Sequence, residues 1–211
     1  MNVKVNNLTS GFQKKLVIKN FSEEFHSGEI IGLVGKNGSG KTTLIKHLCG
    51  VLIPESGDII INNLNINFSK KKIMMQLGVL FDGVRHLYWR LTPWQNFIYY
   101  SGLKSRFGKS VHFFAQDLFE KFGLFDQMHI RVDELSFGTK RKVAICCALA
   151  NEPSFLLLDE PTNGLDLKSQ ELLINYLKFL SSQGKIVLIA SHDKGWLDGV
   201  CSRFISMDGD L

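Results

Sequence analysis

Gly35-Lys36-Asn37-Gly38-Ser39-Gly40-Lys41-Thr42 fits the pattern G-x-x-x-x-G-K-[ST] in full. Glycines at these places let the backbone turn so that successive N–H groups point inward at phosphate oxygens. Lys41 would reach the β- and γ-phosphates of a nucleotide, and the Thr42 hydroxyl would bind Mg²⁺. Thr43, the next residue, joins the nucleotide-binding set. An apolar run, Glu29 to Val34, precedes the motif, and a helical pattern, Thr42 to Cys49, follows it. A phosphate loop needs that strand-loop-helix context, in which the positive end of the helix faces the anion. A glycine-rich surface turn does not. A second group of chemical residues closes Phe155-Leu-Leu-Leu-Asp159-Glu160-Pro161. Four apolar residues ending in two carboxylates read as a buried strand that delivers acids at its C-terminal edge, where ligands of open α/β sheets bind. Asp159 would hold the Mg²⁺ shell, through water. Glu160 would be the general base that aligns or deprotonates an attacking water.

The elements that must position these groups alternate between strand and helix. The first 30 residues alternate in polarity and predict short antiparallel strands, with turns near Ser10-Gly11 and Ser27-Gly28. Strands are expected at Glu29–Val34, Asp58–Ile61, Val79–Phe81, Phe155–Leu158 and Lys185–Ser191. Helices are expected at Thr42–Cys49, Phe137–Asn151 and Lys168–Leu180. Between Thr92 and about His129 aromatic residues recur at helical spacing, which predicts a small all-helical insert broken at Gly108-Lys109-Ser110. Strands that are apolar throughout, alternating with helices, imply a mostly parallel sheet covered on both faces. The fold class is therefore α/β.

The chain has 211 residues, enough to bury a core without disulfides or a structural metal. Its net charge of +5 is compatible with nucleotides, nucleic acid or an anionic surface and decides between none of them. Cys49, Cys146, Cys147 and Cys201 show no CxxC or zinc spacing. Lys70-Lys-Lys72 and Lys140-Arg141-Lys142 read as solvated basic faces, without the interleaved aromatics of a strand-binding surface. The longest apolar stretch, Val143 to Ala150, is eight residues, and a membrane-spanning helix needs roughly 20. The first dozen residues have no apolar core of signal-peptide length, so a cytoplasmic location is expected.

At this point the sequence resembles the ATP-binding subunits of ABC transporters, over nearly the whole chain from about Val3 to Met207. Leu135-Ser136-Phe137-Gly138-Thr139 resembles the family signature, usually LSGGQ, with departures at Phe137 and Thr139. The order of phosphate loop, helical insert, signature and acidic strand also matches. The resemblance implies a P-loop ABC-type ATPase fold in a single domain. Its α/β core would span 1–91 and about 135–211, with a helical subdomain at about 92–134. It implies ATP and Mg²⁺ as ligands, and two copies or paired nucleotide-binding subunits packed head to tail around two nucleotides. Ser136 and Gly138 of one copy would then offer a hydroxyl and a backbone N–H to the γ-phosphate held by the other. Thr162-Asn-Gly-Leu-Asp166 resembles the loop that crosses to the second subunit and orders the attacking water. Ser191-His192-Asp193 resembles the switch segment whose histidine bonds the γ-phosphate. Phe12 stands near the position of an aromatic that stacks on adenine.

One departure concerns Asp82. The family usually carries glutamine here, contacting Mg²⁺ and water and sensing the membrane partner. An ionised aspartate can ligate Mg²⁺ but cannot donate a hydrogen bond. An acidic residue followed by a run such as Leu87-Tyr-Trp-Arg-Leu-Thr92 resembles exporters of the drug and polysaccharide type. Tyr88, Trp89 and Trp94 are candidates for a groove that receives a helix of a separate transmembrane subunit, or else for core of the helical insert. The resulting expectation is a motor subunit on the inner face of the cell membrane, driving a separate transmembrane protein in export. The alternative is a soluble ABC-type ATPase acting on nucleic acid or ribosomes. It is disfavoured because no sustained heptads separate the two nucleotide motifs. No nucleic-acid partner is expected.

Overall fold

The computed structural model describes residues 1–12 and 15–208, without the side chains of Phe12 and Lys15. The chain opens with two long antiparallel strands, β1 (Asn2–Phe12) and β2 (Lys15–His26). They join β4 (Ser56–Ile61) and the short β5 (Leu64–Asn65) in a sheet of order β2-β1-β4-β5. The turn expected at Ser10-Gly11 is not there. Ser10 pairs with Ile18 and Gly11 with Leu16, so β1 continues through both residues. Register shifts between Leu8 and Ser10 and between Ser10 and Gly11 absorb the break in alternation, as bulges do. The turn expected at Ser27-Gly28 is present, with Gly28 at a φ of 85°.

The second sheet is parallel and has the order β6-β7-β8-β3-β9. Its strands are β3 (Ile30–Val34), β6 (Leu77–Leu80), β7 (Phe155–Asp159), β8 (Ile186–Ala190) and β9 (Arg203–Ser206). Every residue of β7 and β8 is buried, because each face of the sheet carries its own core. Phe155, Leu157, Ile186 and Leu188 point into one cluster, with Leu44 and Ile45 of helix α1 (Lys41–Leu48) and Val3, Val5 and Ile61 of the antiparallel sheet. Leu156, Leu158, Val187 and Ile189 point into the other. That second cluster includes α5 (Phe137–Leu149) and α6 (Leu167–Ser182). Period-two side chains on a sheet covered twice leave no polar position within the strand. Helix α2 (Ile66–Met74) leads into β6, and a short α7 (Lys194–Asp198) into β9.

Between β6 and α5 lie α3 (Pro93–Leu103), α4 (Lys109–Lys121) and two single 3₁₀ turns. Thr92 starts α3 with a reciprocal capping box to Gln95, and Pro93 follows at the first helical position. The aromatic spacing noted above builds a packed interior. Phe97 and Phe119 are fully buried and stand 5.6 Å apart, edge to face. Trp94 belongs to this interior as well. It is half-buried, its ring 5.3 Å from His112 and 6.4 Å from Phe119, and its backbone N–H donates to the Met128 carbonyl at 3.0 Å. Tyr88 and Trp89 remain 47% exposed, so of the three aromatics only these two face outward.

Helix α5 lies close against the sheet at Gly78, where an added Cβ would stand 2.3 Å from the Ala148 carbonyl oxygen. The oxygen belongs to helix backbone, and the Pro153 and Leu156 side chains stand 2.7 and 3.0 Å from the same point, so little can give way. Gly78→Ala is expected to destabilise the chain by about 2 kcal/mol through overpacking. Urea unfolding checks this as a lower midpoint at unchanged slope, and a wild-type midpoint contradicts the close approach.

Candidate active site

The phosphate loop joins the end of β3 to the start of α1. Gly35, Gly38 and Gly40 have φ values of 152°, 84° and 99°. Gly40 is the left-handed N-cap of α1 and supplies no side-chain cap. The first N–H groups of a helix have no partner within it, so those of Lys41, Thr42 and Thr43 need an acceptor from outside. Ser39 Oγ is buried and also lacks a partner. An anion with several oxygens satisfies such a concavity. Lys41 is buried, and its Nζ donates to the Gly35 carbonyl at 2.6 Å and to the Lys36 carbonyl at 3.1 Å. The ammonium group thus sits on the loop it would neutralise against.

Asp159 closes β7 beside this loop. The Thr42 hydroxyl donates to Asp159 Oδ2 at 2.8 Å across 117 residues of sequence. Burial holds the Asp159 carboxyl above its ordinary value, the Thr42 bond lowers it, and the charges of Glu160 and Asp82 raise it again. Among the described residues no three His, Cys, Asp or Glu side chains gather as a ligand set. The donors that do converge, a hydroxyl and a carboxylate, are hard oxygen ligands. They suit a cation such as Mg²⁺, which keeps much of its water and takes few protein groups.

Glu160 stands one residue beyond the strand in an unusual conformation, with φ of 48°. A non-glycine residue adopts that region only when its surroundings hold it there. Its N–H donates to the Ala190 carbonyl at 2.7 Å. Its Oε2 accepts from Ser191 Oγ at 3.0 Å and lies 2.9 Å from His192 Nδ1. The hydrogen bond to Glu160, reinforced by its charge, raises the affinity of His192 for a proton above the ordinary value. The imidazole itself is 66% exposed.

Asp82 lies past the end of β6. Its Oδ1 accepts from Asn163 Nδ2 at 3.0 Å and from the Gly83 N–H at 2.8 Å. Asp82 therefore bridges to the loop after Glu160, and its charge is felt at Asp159. Ser136 is the N-cap of α5, accepting from the Thr139 N–H at 3.2 Å. Ser136 and Phe137 are exposed, and an added Cβ on Gly138 would meet the Gly164 carbonyl at 2.7 Å, so the signature abuts the 162–166 loop. Asp166 caps α6, accepting from the Ser169 N–H at 2.8 Å, and the Ser169 side chain together with this backbone bond lowers its pKa. Ser136 and Asp166 are thus exposed at the starts of α5 and α6, and the partly exposed Gly138 lies against the loop that leads to Asp166. The Phe12 side chain lies outside the described residues.

Arg141 is the residue that sequence reasoning misplaced. The basic run 140–142 was expected to be a solvated face, yet Arg141 is fully buried. Its guanidinium donates to the carbonyls of Phe81, Gly83, Asp159, Glu160 and Pro161. Helical phase alone turns residue 141 inward between Lys140 and Lys142. The apolar face of α5 at Val143 and Ala144 was the available signal.

A phosphate loop, a hydroxyl–carboxylate pair at its rim and a glutamate beside them define a P-loop nucleotide hydrolase of α/β fold. The chain belongs to the ABC transporter family, whose model matches residues 18–163. Among relatives it is 32% identical to the ABC transporter ATP-binding protein NatA of Bacillus subtilis, over 92% of this chain and 79% of that one. It is 32% identical to the arginine transport ATP-binding protein ArtM of the same organism, over 98% and 87%. The Nod factor export ATP-binding protein I of Burkholderia lata is also 32% identical, over 93% of this chain and 64% of that one. A solved ATP-binding cassette, MJ0796, in a dimeric post-hydrolysis state with ADP and Pi, superposes with a TM-score of 0.87 at 27% identity, over 97% and 93%. The protein is an ATPase, the ATP-binding subunit of an ABC transporter, in a family whose cassettes form dimers. Among its described residues no helix is long and apolar enough to cross a membrane.

The His192–Glu160 contact has a pH signature. Because the folded pKa of His192 is raised, the contact contributes stability fully below the unfolded value of about 6.5 and loses it as pH rises through the folded value. An NMR titration of the nucleotide-free chain is expected to give His192 a midpoint above about 6.5. Glu160→Gln should bring it back down. An unshifted midpoint in the wild type refutes the contact.

Proposed function

We propose that this subunit hydrolyses ATP with Glu160 as general base, in a head-to-tail dimer that drives a separate transmembrane subunit. The observation that carries the reading is the Thr42–Asp159 hydrogen bond, with Glu160 the next residue along the chain. It places the phosphate loop and the acidic strand end on one site. Lys41, the N–H groups of Gly38 to Thr43, and Ser39 would cradle the β- and γ-phosphates, with Lys36, Asn37 and Gly35 shaping the loop. Thr42 and Asp159, with Asp82 nearby, would hold Mg²⁺, which when bound neutralises charge on the phosphate oxygens. Glu160 would take a proton from a water as its oxygen bonds to the γ-phosphorus, while the bond to the β–γ bridging oxygen breaks and ADP leaves. His192 would exchange Glu160 for the γ-phosphate. Phe12 would stack on adenine.

A second copy would complete the site with its own Ser136, Gly138 and Asp166. The exposure of Ser136 and Asp166 and the contact of Gly138 with the loop before Asp166 support this reading. We read the 92–134 segment, with Tyr88 and Trp89 beside it, as the part that meets the membrane subunit. That subunit would hold the chain at the inner face of the membrane. Export is the direction favoured by Asp82 and the run that follows it, and it agrees with the printed name of the Nod factor relative. The arginine transport relative, equally identical, keeps direction a matter for experiment.

Glu160→Gln is expected to bind ATP and to dimerise, while turnover falls by about 10² to 10⁴, the range for loss of a general base. Phosphate release and size-exclusion chromatography with ATP and Mg²⁺ read both effects. Rapid turnover by the variant would sink the base assignment. The same variant, tagged and held closed by ATP, should retain a stoichiometric multi-spanning protein from native membranes in mild detergent. Ribosomes or DNA in its place would overturn the transporter reading.

A further inference from the structure

The buried guanidinium of Arg141 ties together two parts of the molecule that serve different nucleotides. It lies on α5 five residues after Ser136, the exposed cap that would face a second copy's phosphate. Its Nη2 donates to the carbonyls of Asp159 at 3.0 Å and Glu160 at 2.5 Å. Its Nη1 donates to Phe81 at 3.0 Å and Gly83 at 2.7 Å, the residues on either side of Asp82. Its Nε reaches the Pro161 carbonyl at 3.4 Å.

Such a planar fork fixes orientation in a way a point charge cannot. Burial lowers the guanidinium pKa, and the charges of Asp82, Asp159 and Glu160 raise it. The cation is thus kept in place without being bonded to any of their carboxylates, which stay available for chemistry. Glu160 needs this support more than its neighbours do. Its φ of 48° is a conformation that a flexible chain abandons. Its N–H is held by Ala190, and Arg141 holds its carbonyl. With both ends of the residue pinned, the carboxylate has a fixed origin.

We propose that Arg141 is a positioning residue for ATP hydrolysis, coupling the attitude of the signature helix to the backbone of Glu160. A shift of α5 caused by a nucleotide bound across the dimer would then move Glu160 and the Asp82 loop as one body. The inference rests on Glu160 being the general base.

The test measures Arg141→Lys, Arg141→Met, Glu160→Gln and the double variants in the whole chain, by steady-state and single-turnover hydrolysis of radiolabelled ATP. Binding is read with a fluorescent ATP analogue. Lysine keeps the charge but reaches fewer carbonyls, and methionine removes all five donations, leaving the Glu160 carbonyl with the Asn163 N–H at 3.3 Å. Expected is a kcat about tenfold lower for Arg141→Lys and about 100-fold lower for Arg141→Met, the scale of a displaced catalytic group. Nucleotide affinity should stay within about twofold, since the phosphate loop is untouched. In the Glu160→Gln background the Arg141 changes should cost little more, because both act on one step.

Additive losses in that background overturn the proposal. So does an equal loss of affinity and kcat, or failure of both Arg141 variants to unfold cooperatively, since each marks Arg141 as framework only. Should Glu160→Gln by itself keep its turnover, the base assignment falls and takes the coupling with it. A dead Glu160→Gln with additive Arg141 effects removes the coupling alone.

Discussion

Parallel pairing of β3, β8 and β7 sets where the loops leave the sheet. Leu33 is level with Ala190, and Ala190 with Asp159. The phosphate loop, the Ser191-His192 segment and Glu160 therefore emerge side by side at one edge. β6 adds a fourth exit, with Leu80 level with Leu158 and Asp82 two residues on. Backbone ladders are stiff, and both faces of this sheet are buried, so the register cannot slip by one residue without turning a core outward. The Ala190 carbonyl then does double duty, accepting the Glu160 N–H and so fixing the backbone that departs from the standard regions.

Charge is arranged around this edge with little redundancy. Asp82, Asp159 and Glu160 crowd together, close enough that the first and last raise the pKa of the second. Arg141 offsets them from inside the fold and Lys41 from the loop. A buried cation bonded only to carbonyls is uncommon, because desolvation is costly unless every donor is used. Here five carbonyls and three neighbouring carboxylates meet that cost. The same contacts join strands β6 and β7 to α5 at the last residue of β7 and just beyond the strand ends.

The remaining groups face outward. Ser136, Phe137, Asp166 and His192 are exposed, and the first and third of them cap their own helices. In the head-to-tail dimer proposed above, the signature helix of one copy would face the phosphate held by the other. A dimer built that way would make ATP part of the interface, so that binding and hydrolysis would become association and release. The Gly138–Gly164 approach ties the two outward loops to each other, so they would move together.

Much of this was present in the sequence. The phosphate loop and the acidic strand end are local patterns, since glycine conformational freedom and continuous apolarity act over a few residues. The longer core strands and helices and the covered parallel sheet followed from the same short-range rules, whereas the short β5, α7 and β9 and the lysine-rich α2 were not expected. Three features were settled by tertiary structure. β1 runs through Ser10-Gly11 because its neighbours supply ladder bonds that outweigh a local turn preference. Trp94 turns inward because α4 offers it a surface that only packing creates. Arg141 is a positioning candidate instead of a surface charge because its five acceptors come from segments 18 to 60 residues away. Sequence patterns report what a residue prefers beside its chain neighbours. Which carbonyls converge on a buried cation is decided when β6, β7 and α5 meet.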